Sequence, residues 1–140
     1  MDKVEITDDE IDVNAALKNL SNPECGATVF FLGTTRDNFN GKKVVELHYE
    51  AYTPMAKSEM LKILHTMKTE YNVRNVVLIH RLGHVSVCEA SVLVAASSAH
   101  RKEALEAVSY AIDAIKLKVP IWKKEMYEDG TSNWKENARC

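Results

Sequence analysis

The first residues of the chain change from a strand pattern to a helix pattern. A short strand is predicted at residues 3–7, and the spacing of residues 8–21 predicts a helix capped by Thr7 or Asp8. The apolar positions that this helix would turn toward a core are Ile11, Leu17 and Leu20.

Two further apolar runs flank a turn signal. Residues 27–36 form a β-branched and aromatic run that is typical of a buried strand. Residues 44–52 alternate apolar and polar side chains, as a strand with one buried face does. Between the two runs lies the Asn40-Gly41 dipeptide, which favours a tight turn. The two runs and the turn together predict a β-hairpin.

Two longer helices are predicted in the rest of the chain. The first opens at Pro54 and runs to about Tyr71, and the second covers residues 99–119 with Ser98 as its cap. Pro120 lacks an amide hydrogen and disfavours helical geometry at the residue before it, so the second helix should end there. The core stripe of this helix is expected at Leu105, Val108, Ile112, Ile115 and Val119.

Apolar runs at residues 75–83 and 91–98 predict buried strands, and residues 121–128 should be extended. Strands and helices are mixed without strict alternation, which favours an α+β fold over a doubly wound parallel sheet. We therefore expect a mixed, largely antiparallel sheet with three helices, in a single domain that spans residues 1–140.

The composition of the chain argues against several classes of function. The chain has 140 residues, a formal net charge of -2 and a pI near 6.2, which argues against a general nucleic-acid binder. No apolar run is long enough to span a membrane, and the first residues resemble no signal peptide. The three cysteines form no closely spaced pair, as is usual in a reducing compartment. The predicted location is the cytosol.

Positive charge is nevertheless concentrated in one segment of the chain. Residues 116–125, KLKVPIWKKE, hold four lysines around the predicted end of the last helix. A solvated surface patch is one interpretation of this cluster. The alternative is a site, because clustered ammonium groups lower one another's pKa and could then exchange protons near neutral pH. Such a cluster would also bind an anionic ligand.

Three more cations are candidates for anion binding. His100 and Arg101 lie in the first turn of the predicted last helix, where the helix dipole favours an anion. Arg36 follows an apolar strand at the mouth of a loop, where a guanidinium could grip a phosphate or carboxylate. Exposed side chains without a ligand are the alternative for each. His80 and His84 lie on a predicted strand, about 13 Å apart, which is too far for one metal ion.

Three segments together resemble one known family. FFLGTTRDNFNGKKVVELHYEAYTPMAKSEM, IHRLGHVSVCEASVLVAASSAHRKEALEA and AIDAIKLKVPIWKKE are similar to the catalytic (large) subunit of molybdopterin synthase. The resemblance extends from about Val4 to Trp134. Its motifs, Gly-Thr-x-Arg, Ser-Ala-His-Arg and the lysines around Pro120 and Trp122, occur in the family's order and spacing.

The resemblance implies a sulfurtransferase of molybdenum cofactor biosynthesis. Enzymes of this family convert cyclic pyranopterin monophosphate into molybdopterin by installing a dithiolene. The sulfur comes from a thiocarboxylate on the C-terminal Gly-Gly tail of a small ubiquitin-like subunit. Two large subunits form a central homodimer, and a small subunit docks at each end to complete a heterotetramer. No cofactor and no metal are implied.

The resemblance also implies roles for individual residues. Lys116 would lie beside the small subunit's terminal glycine, and Lys123 would be a second catalytic lysine; both would contact substrate. Arg36 would be an active-site arginine. His100 and Arg101 would bind anions in the pocket of the neighbouring large subunit. A further substrate-binding arginine follows the last tryptophan in the family, and the corresponding candidate is Arg139, displaced by about one position.

Two other function classes remain open on the residues alone. The first is a noncatalytic binding module that holds an acidic protein tail or another anionic ligand, including RNA, on the basic patch. RNA is disfavoured by the moderate pI and by an aromatic content of 7%. The second is a structural subunit that only presents a dimer surface.

Overall fold

The computed structural model describes residues 1–136 and contains three helices and nine strands in this part of the chain. In chain order the elements are β1 (Lys3–Thr7), α1 (Val13–Lys18), β2 (Ala27–Thr34), β3 (Asn38–Phe39), β4 (Lys42–Ala51), α2 (Thr53–Glu70), β5 (Asn75–Arg81), β6 (Gly83–Ser86), β7 (Ala90–Ser98), α3 (Arg101–Lys118), β8 (Ile121–Tyr127) and β9 (Ser132–Glu136). The predicted α+β class and the three helices are confirmed.

The first sheet has the strand order β1-β5-β7-β2, and its inner strand β5 is covered on both faces. Strands β1 and β5 are parallel, whereas β5, β7 and β2 are antiparallel to their neighbours. Val76 and Leu78 of β5 join the larger core under α2 and α3, and Val77 and Ile79 join a smaller core under α1. Since alternate residues of a strand face opposite sides, this double burial explains why β5 is a continuous apolar run.

The second sheet has the order β3-β4-β8-β9, and β6 also pairs with β4. Its pairings are all antiparallel. Strand β8 buries alternate residues: Ile121, Lys123, Glu125 and Tyr127 are buried, so two charged side chains share the inner face with two apolar ones. A buried charge is costly unless it is compensated, and this alternation marks the inner face of β8 as a place where polar groups are required.

Helix α3 ends where the sequence predicted. Lys118 is its last residue, and Val119 adopts an extended conformation with ψ of 125°. The Ile121 amide then donates to the Val119 carbonyl at 2.8 Å, and the Tyr52 amide donates to the Pro120 carbonyl at 3.4 Å. Pro120 has no amide hydrogen to continue the helical pattern, so the chain turns directly from α3 into β8.

The predicted β-hairpin between residues 27–36 and 44–52 is wrong. Strand β2 pairs with β7 in the first sheet, whereas β4 belongs to the second sheet. The tight turn at Asn40-Gly41 does form, with φ of 50° and 78°, but it joins β4 to the two-residue strand β3. A turn signal specifies the local reversal of the chain and not the length of strand that pairs across it.

Three local predictions are also wrong. Helix α1 is shorter than predicted, and its cap is Asp12, whose side chain accepts a hydrogen bond from the Ala15 amide at 3.1 Å. Strand β2 is not buried on both faces, because it lies at a sheet edge and Phe30 and Phe31 are partly exposed. Leu105 is 53% exposed and lies outside the core stripe of α3, which is instead made largely of alanines.

None of the helices in residues 1–136 is both long and apolar enough to cross a membrane.

Candidate functional site

A cavity of about 460 Å³ opens between the two sheets at the C-terminal end of α3. Strands β2, β5 and β7 of the first sheet, strands β4 and β8 of the second, and the last turns of α3 all contribute side chains to its wall. The cavity brings together Arg36, Lys116 and Lys123, three of the cations that the sequence singled out. They come from three different segments of the chain.

The three cations lie at different depths. Arg36 is exposed in the loop after β2, Lys116 is half-buried in the last turn of α3, and Lys123 on β8 is only 4% exposed. Each position follows from local structure. A β-bulge between Gly33 and Thr34 ends the regular pairing of β2 just before Arg36 and redirects the chain there. The strand alternation of β8 turns Lys123 inward and leaves Lys124 on the opposite face.

The end of α3 is a favourable place for the Lys116 ammonium group. The unpaired carbonyls of a last helical turn carry partial negative charge and stabilise a nearby cation. Ile115 is fully buried next to Lys116 and anchors this turn in the larger core. The backbone of Lys116 is therefore held by a rigid element, which is the kind of support that a group acting on a substrate requires.

His80 lies in the cavity wall and is almost completely buried. Its Nδ1 is 2.9 Å from the Arg81 carbonyl oxygen, which can only accept, so this nitrogen carries the hydrogen. Its ring packs edge-on against Tyr49, with centroids 5.1 Å apart. The pKa of His80 is lowered to about 4, chiefly because the ring is buried, and the positive charge of Lys116 contributes to the lowering, whereas the contact with the Arg81 carbonyl acts in the opposite direction. His80 is therefore neutral at physiological pH.

Among the described residues that line the cavity, Glu125 is the one carboxylate, and it lies among the cations. The Tyr127 hydroxyl donates to its Oε1 at 2.7 Å, and the Lys135 ammonium lies 2.8 Å from the same oxygen. Burial, together with the hydrogen bond to Glu125 and the negative charge of that carboxylate, raises the pKa of Tyr127 to about 12. Tyr127 therefore stays protonated and acts as a hydrogen-bond donor to the carboxylate.

His100 and Arg101 lie at the other end of α3 and do not line this cavity. Both are exposed, and fifteen residues of helix at 1.5 Å each place Arg101 about 22 Å from Lys116 along the axis. The predicted cap, Ser98, is wrong: the N-cap of α3 is His100, whose side chain makes no capping hydrogen bond. Ser98 lies two residues earlier, and its Oγ accepts from the Ala104 amide at 3.1 Å. The remaining candidate, Arg139, lies outside the described residues.

Sequence reasoning missed His80, Tyr49, Glu125 and Lys135 as residues of this region. For two of them a signal was present. His80 is a polar residue inside the apolar run of β5, and Glu125 is two positions after Lys123 on a strand, which places both side chains on one face. The described residues contain no group of three or more His, Cys, Asp or Glu side chains arranged to hold a metal ion.

Comparison with known proteins gives consistent matches. The family model described as MoaE protein matches residues 6–118. The bovine (Bos taurus) molybdopterin synthase catalytic subunit is 52% identical over 139 residues, which cover 99% of this chain and 74% of that protein. The crystal structure of molybdopterin synthase from Staphylococcus aureus superposes with a TM-score of 0.89 at 38% identity, covering 94% of this chain and 95% of the other.

A further solved structure includes a partner. In the protein-protein complex of subunits 1 and 2 of the molybdopterin-converting factor from Helicobacter pylori 26695, one chain matches with a TM-score of 0.74 at 25% identity. The match covers 95% of this chain and 90% of that one.

Proposed function

Because this chain belongs to the MoaE protein family, we propose that it is the catalytic subunit of a molybdopterin synthase. In this role it converts cyclic pyranopterin monophosphate into molybdopterin, a step of molybdenum cofactor biosynthesis. The reaction is a sulfur transfer, in which the C-terminal thiocarboxylate of a small ubiquitin-like subunit supplies sulfur to the pterin. Two such transfers are needed to build the dithiolene.

One observation carries the proposal: the cavity gathers Arg36, Lys116 and Lys123 around a space of about 460 Å³. Both proposed reactants are anionic, since the pterin carries a phosphate and the sulfur donor ends in a thiocarboxylate. Cations fixed before the reactants arrive stabilise developing negative charge without reorganising, which is the most effective form of electrostatic catalysis. A volume of this size also suits a small-molecule substrate with part of a peptide tail.

The different depths of the cations support a division of labour. Lys116, at the end of α3, would stabilise the tetrahedral oxyanion at the donor's terminal carbonyl and deliver protons as the thiolate leaves. Lys123, deeper in the cavity, would act on the pterin as an acid or as a phosphate anchor. Arg36 at the mouth has a permanently charged planar fork, which suits it to hold phosphate or carboxylate without moving protons.

His100 and Arg101 would complete the site from a second copy of the chain. Within one copy they lie about 22 Å along α3 from Lys116, so a single chain cannot bring both ends of the helix to one substrate. A central homodimer that is extended by two small subunits into a heterotetramer would satisfy this requirement. The small-subunit partner is supported by the two-subunit complex from Helicobacter pylori. Arg139 is retained as a candidate for substrate binding.

The cytosol is the proposed location. Cys25 and Cys88 are both free thiols, as expected in a reducing compartment.

The proposal is tested by incubating the protein with cyclic pyranopterin monophosphate and thiocarboxylated small subunit, then detecting a dithiolene product. The same small subunit with an ordinary carboxylate is the matched control and should give no product. Lys116→Ala separates an enzyme from a noncatalytic binding module: an enzyme loses turnover, whereas a binding module shows only a graded loss of affinity. Absence of dithiolene from the intact pair of subunits would refute the assignment.

A further inference from the structure

The negative charge of Glu125 is unfavourable in a cavity that is proposed to bind two anions. Its side chain is 5% exposed, and it lines the same wall as Lys123. The two residues are two positions apart on β8, so their side chains leave the same face of the strand about 7 Å apart. A carboxylate in this position would repel the substrate phosphate and attract the cavity lysines unless another cation compensated it.

Lys135 supplies that compensation from outside the cavity wall. Its Nζ is 2.8 Å from Glu125 Oε1, and its side chain is only 14% exposed, so the pair is largely shielded from water. In the register of β8 and β9, Lys135 is directly opposite Lys123. Its ammonium also lies 3.0 Å from the ring centroid of Phe39, another wall residue. Contact with an aromatic face stabilises a desolvated cation.

The carboxylate is held from two sides. Lys135 and the Tyr127 hydroxyl both contact Oε1, which fixes the carboxylate toward β9 and toward the end of β8. The Tyr127 hydroxyl is a neutral donor and cannot compensate the negative charge of Glu125, so Lys135 provides that compensation. Removing one partner of a buried ion pair leaves the charge of the other uncompensated. Without Lys135, the Glu125 carboxylate would therefore interact with other cations of the cavity.

We propose that Lys135 is a positioning residue of the synthase: it binds the Glu125 carboxylate and so offsets the negative charge that Glu125 would present to the anionic substrate. The inference rests on the proposed function, because it assumes that the cavity ligand is the pterin phosphate. Lys135 does not itself contact the reacting atoms. Its contribution is to the net charge that the substrate meets on entering the cavity.

The test compares pterin binding by Lys135→Met, Lys135→Arg and Lys43→Met variants of the full chain. The ligand is cyclic pyranopterin monophosphate, measured by equilibrium dialysis in the presence of carboxylate-form small subunit. Lys135→Met should weaken pterin binding about tenfold or more, and Lys135→Arg should remain within about threefold of the wild type. Lys43→Met breaks the exposed ion pair with Glu128 and is the matched control, for which no change is expected.

A second comparison separates charge control from a purely structural role. In a Glu125→Gln background there is no carboxylate to compensate, so adding Lys135→Met should change pterin affinity less than about twofold. This comparison applies even where Lys135→Met alone fails to fold. If Lys135→Met weakens pterin binding as much in the Glu125→Gln background as it does in the wild-type protein, then Lys135 acts on the substrate or the fold directly. That result would overturn the inference.

The dialysis also keeps the two proposals apart. Wild-type protein that neither binds the pterin nor forms dithiolene would refute the proposed function. Wild-type protein that does both, with a folded Lys135→Met variant of unchanged pterin affinity, would refute only the role of Lys135.

Discussion

Buried His80 should make the protein sensitive to mild acid, and replacing it with glutamine should remove that sensitivity. The pKa of His80 is about 4 in the folded chain, against 6.5 for a histidine in water. Between these values the unfolded chain binds a proton that the folded chain excludes. The part of the unfolding free energy that depends on neutral His80 is therefore fully present above pH 6.5, and it is lost as the pH falls from 6.5 toward 4.

The size of the effect follows from the two pKa values. Their difference corresponds to about 3 kcal/mol of unfolding free energy, lost in full only below about pH 4. Between pH 7 and pH 5 the expected loss from His80 alone is about 2 kcal/mol. Other groups also titrate in this range, but they do so equally in wild type and variant, and their contributions cancel in the comparison.

The assay is urea unfolding of wild type and His80→Gln at pH 7, 6 and 5, with the free energy extrapolated to zero urea. The wild type should lose about 2 kcal/mol more than His80→Gln between pH 7 and pH 5. His65→Gln, which alters an exposed histidine of α2, is the control and should behave as the wild type does. Parallel loss of stability in wild type and His80→Gln would refute the reasoning, whatever the absolute stability of the variant.

Three further predictions concern the site, the assembly and the core. Lys116→Arg should still bind the small subunit but lose turnover about a hundredfold or more, measured as dithiolene formed in a single turnover with saturating partner; near-normal formation would show that Lys116 supplies only charge. Light scattering should find a dimer at micromolar concentration, and a fully active monomer would contradict the placement of His100 and Arg101. Ile115→Ala should cost about 2 to 5 kcal/mol of unfolding free energy, whereas Leu105→Ala, on the exposed side of the same helix, should cost less than about 1 kcal/mol.

Local chemistry in the sequence predicted the ends and types of most elements. Pro120 stops α3, and the Asn40-Gly41 dipeptide reverses the chain, because both effects depend on a few neighbouring residues. Strand pairing was harder to predict. Residues 27–36 and 44–52 are separated by a good turn, yet β2 finds its partner in β7, some sixty residues later. Apolar composition shows that a strand will be covered and does not show by which neighbour.

The candidate site was also predicted only in part, because some of its residues lie in local sequence motifs and others are brought there by strand pairing. Arg36, Lys116 and Lys123 were recognisable from their motifs, and the fold brings them to one cavity. Lys135 was not recognisable, since its importance comes from lying across from Lys123 and beside Glu125 on a neighbouring strand. A cross-strand relation of this kind exists only after the register is fixed.

The direct passage from α3 into β8 restricts how this chain can change in length. Lys116 faces the cavity from a helix and Lys123 from a strand, with Val119 and Pro120 as the whole connection. One residue inserted there would shift β8 by one position and turn Lys123 outward while Lys124 turned inward. An insertion in the exposed turn at Gly130 would leave both lysines in place. Natural and engineered length variants should therefore collect at that turn and avoid the junction.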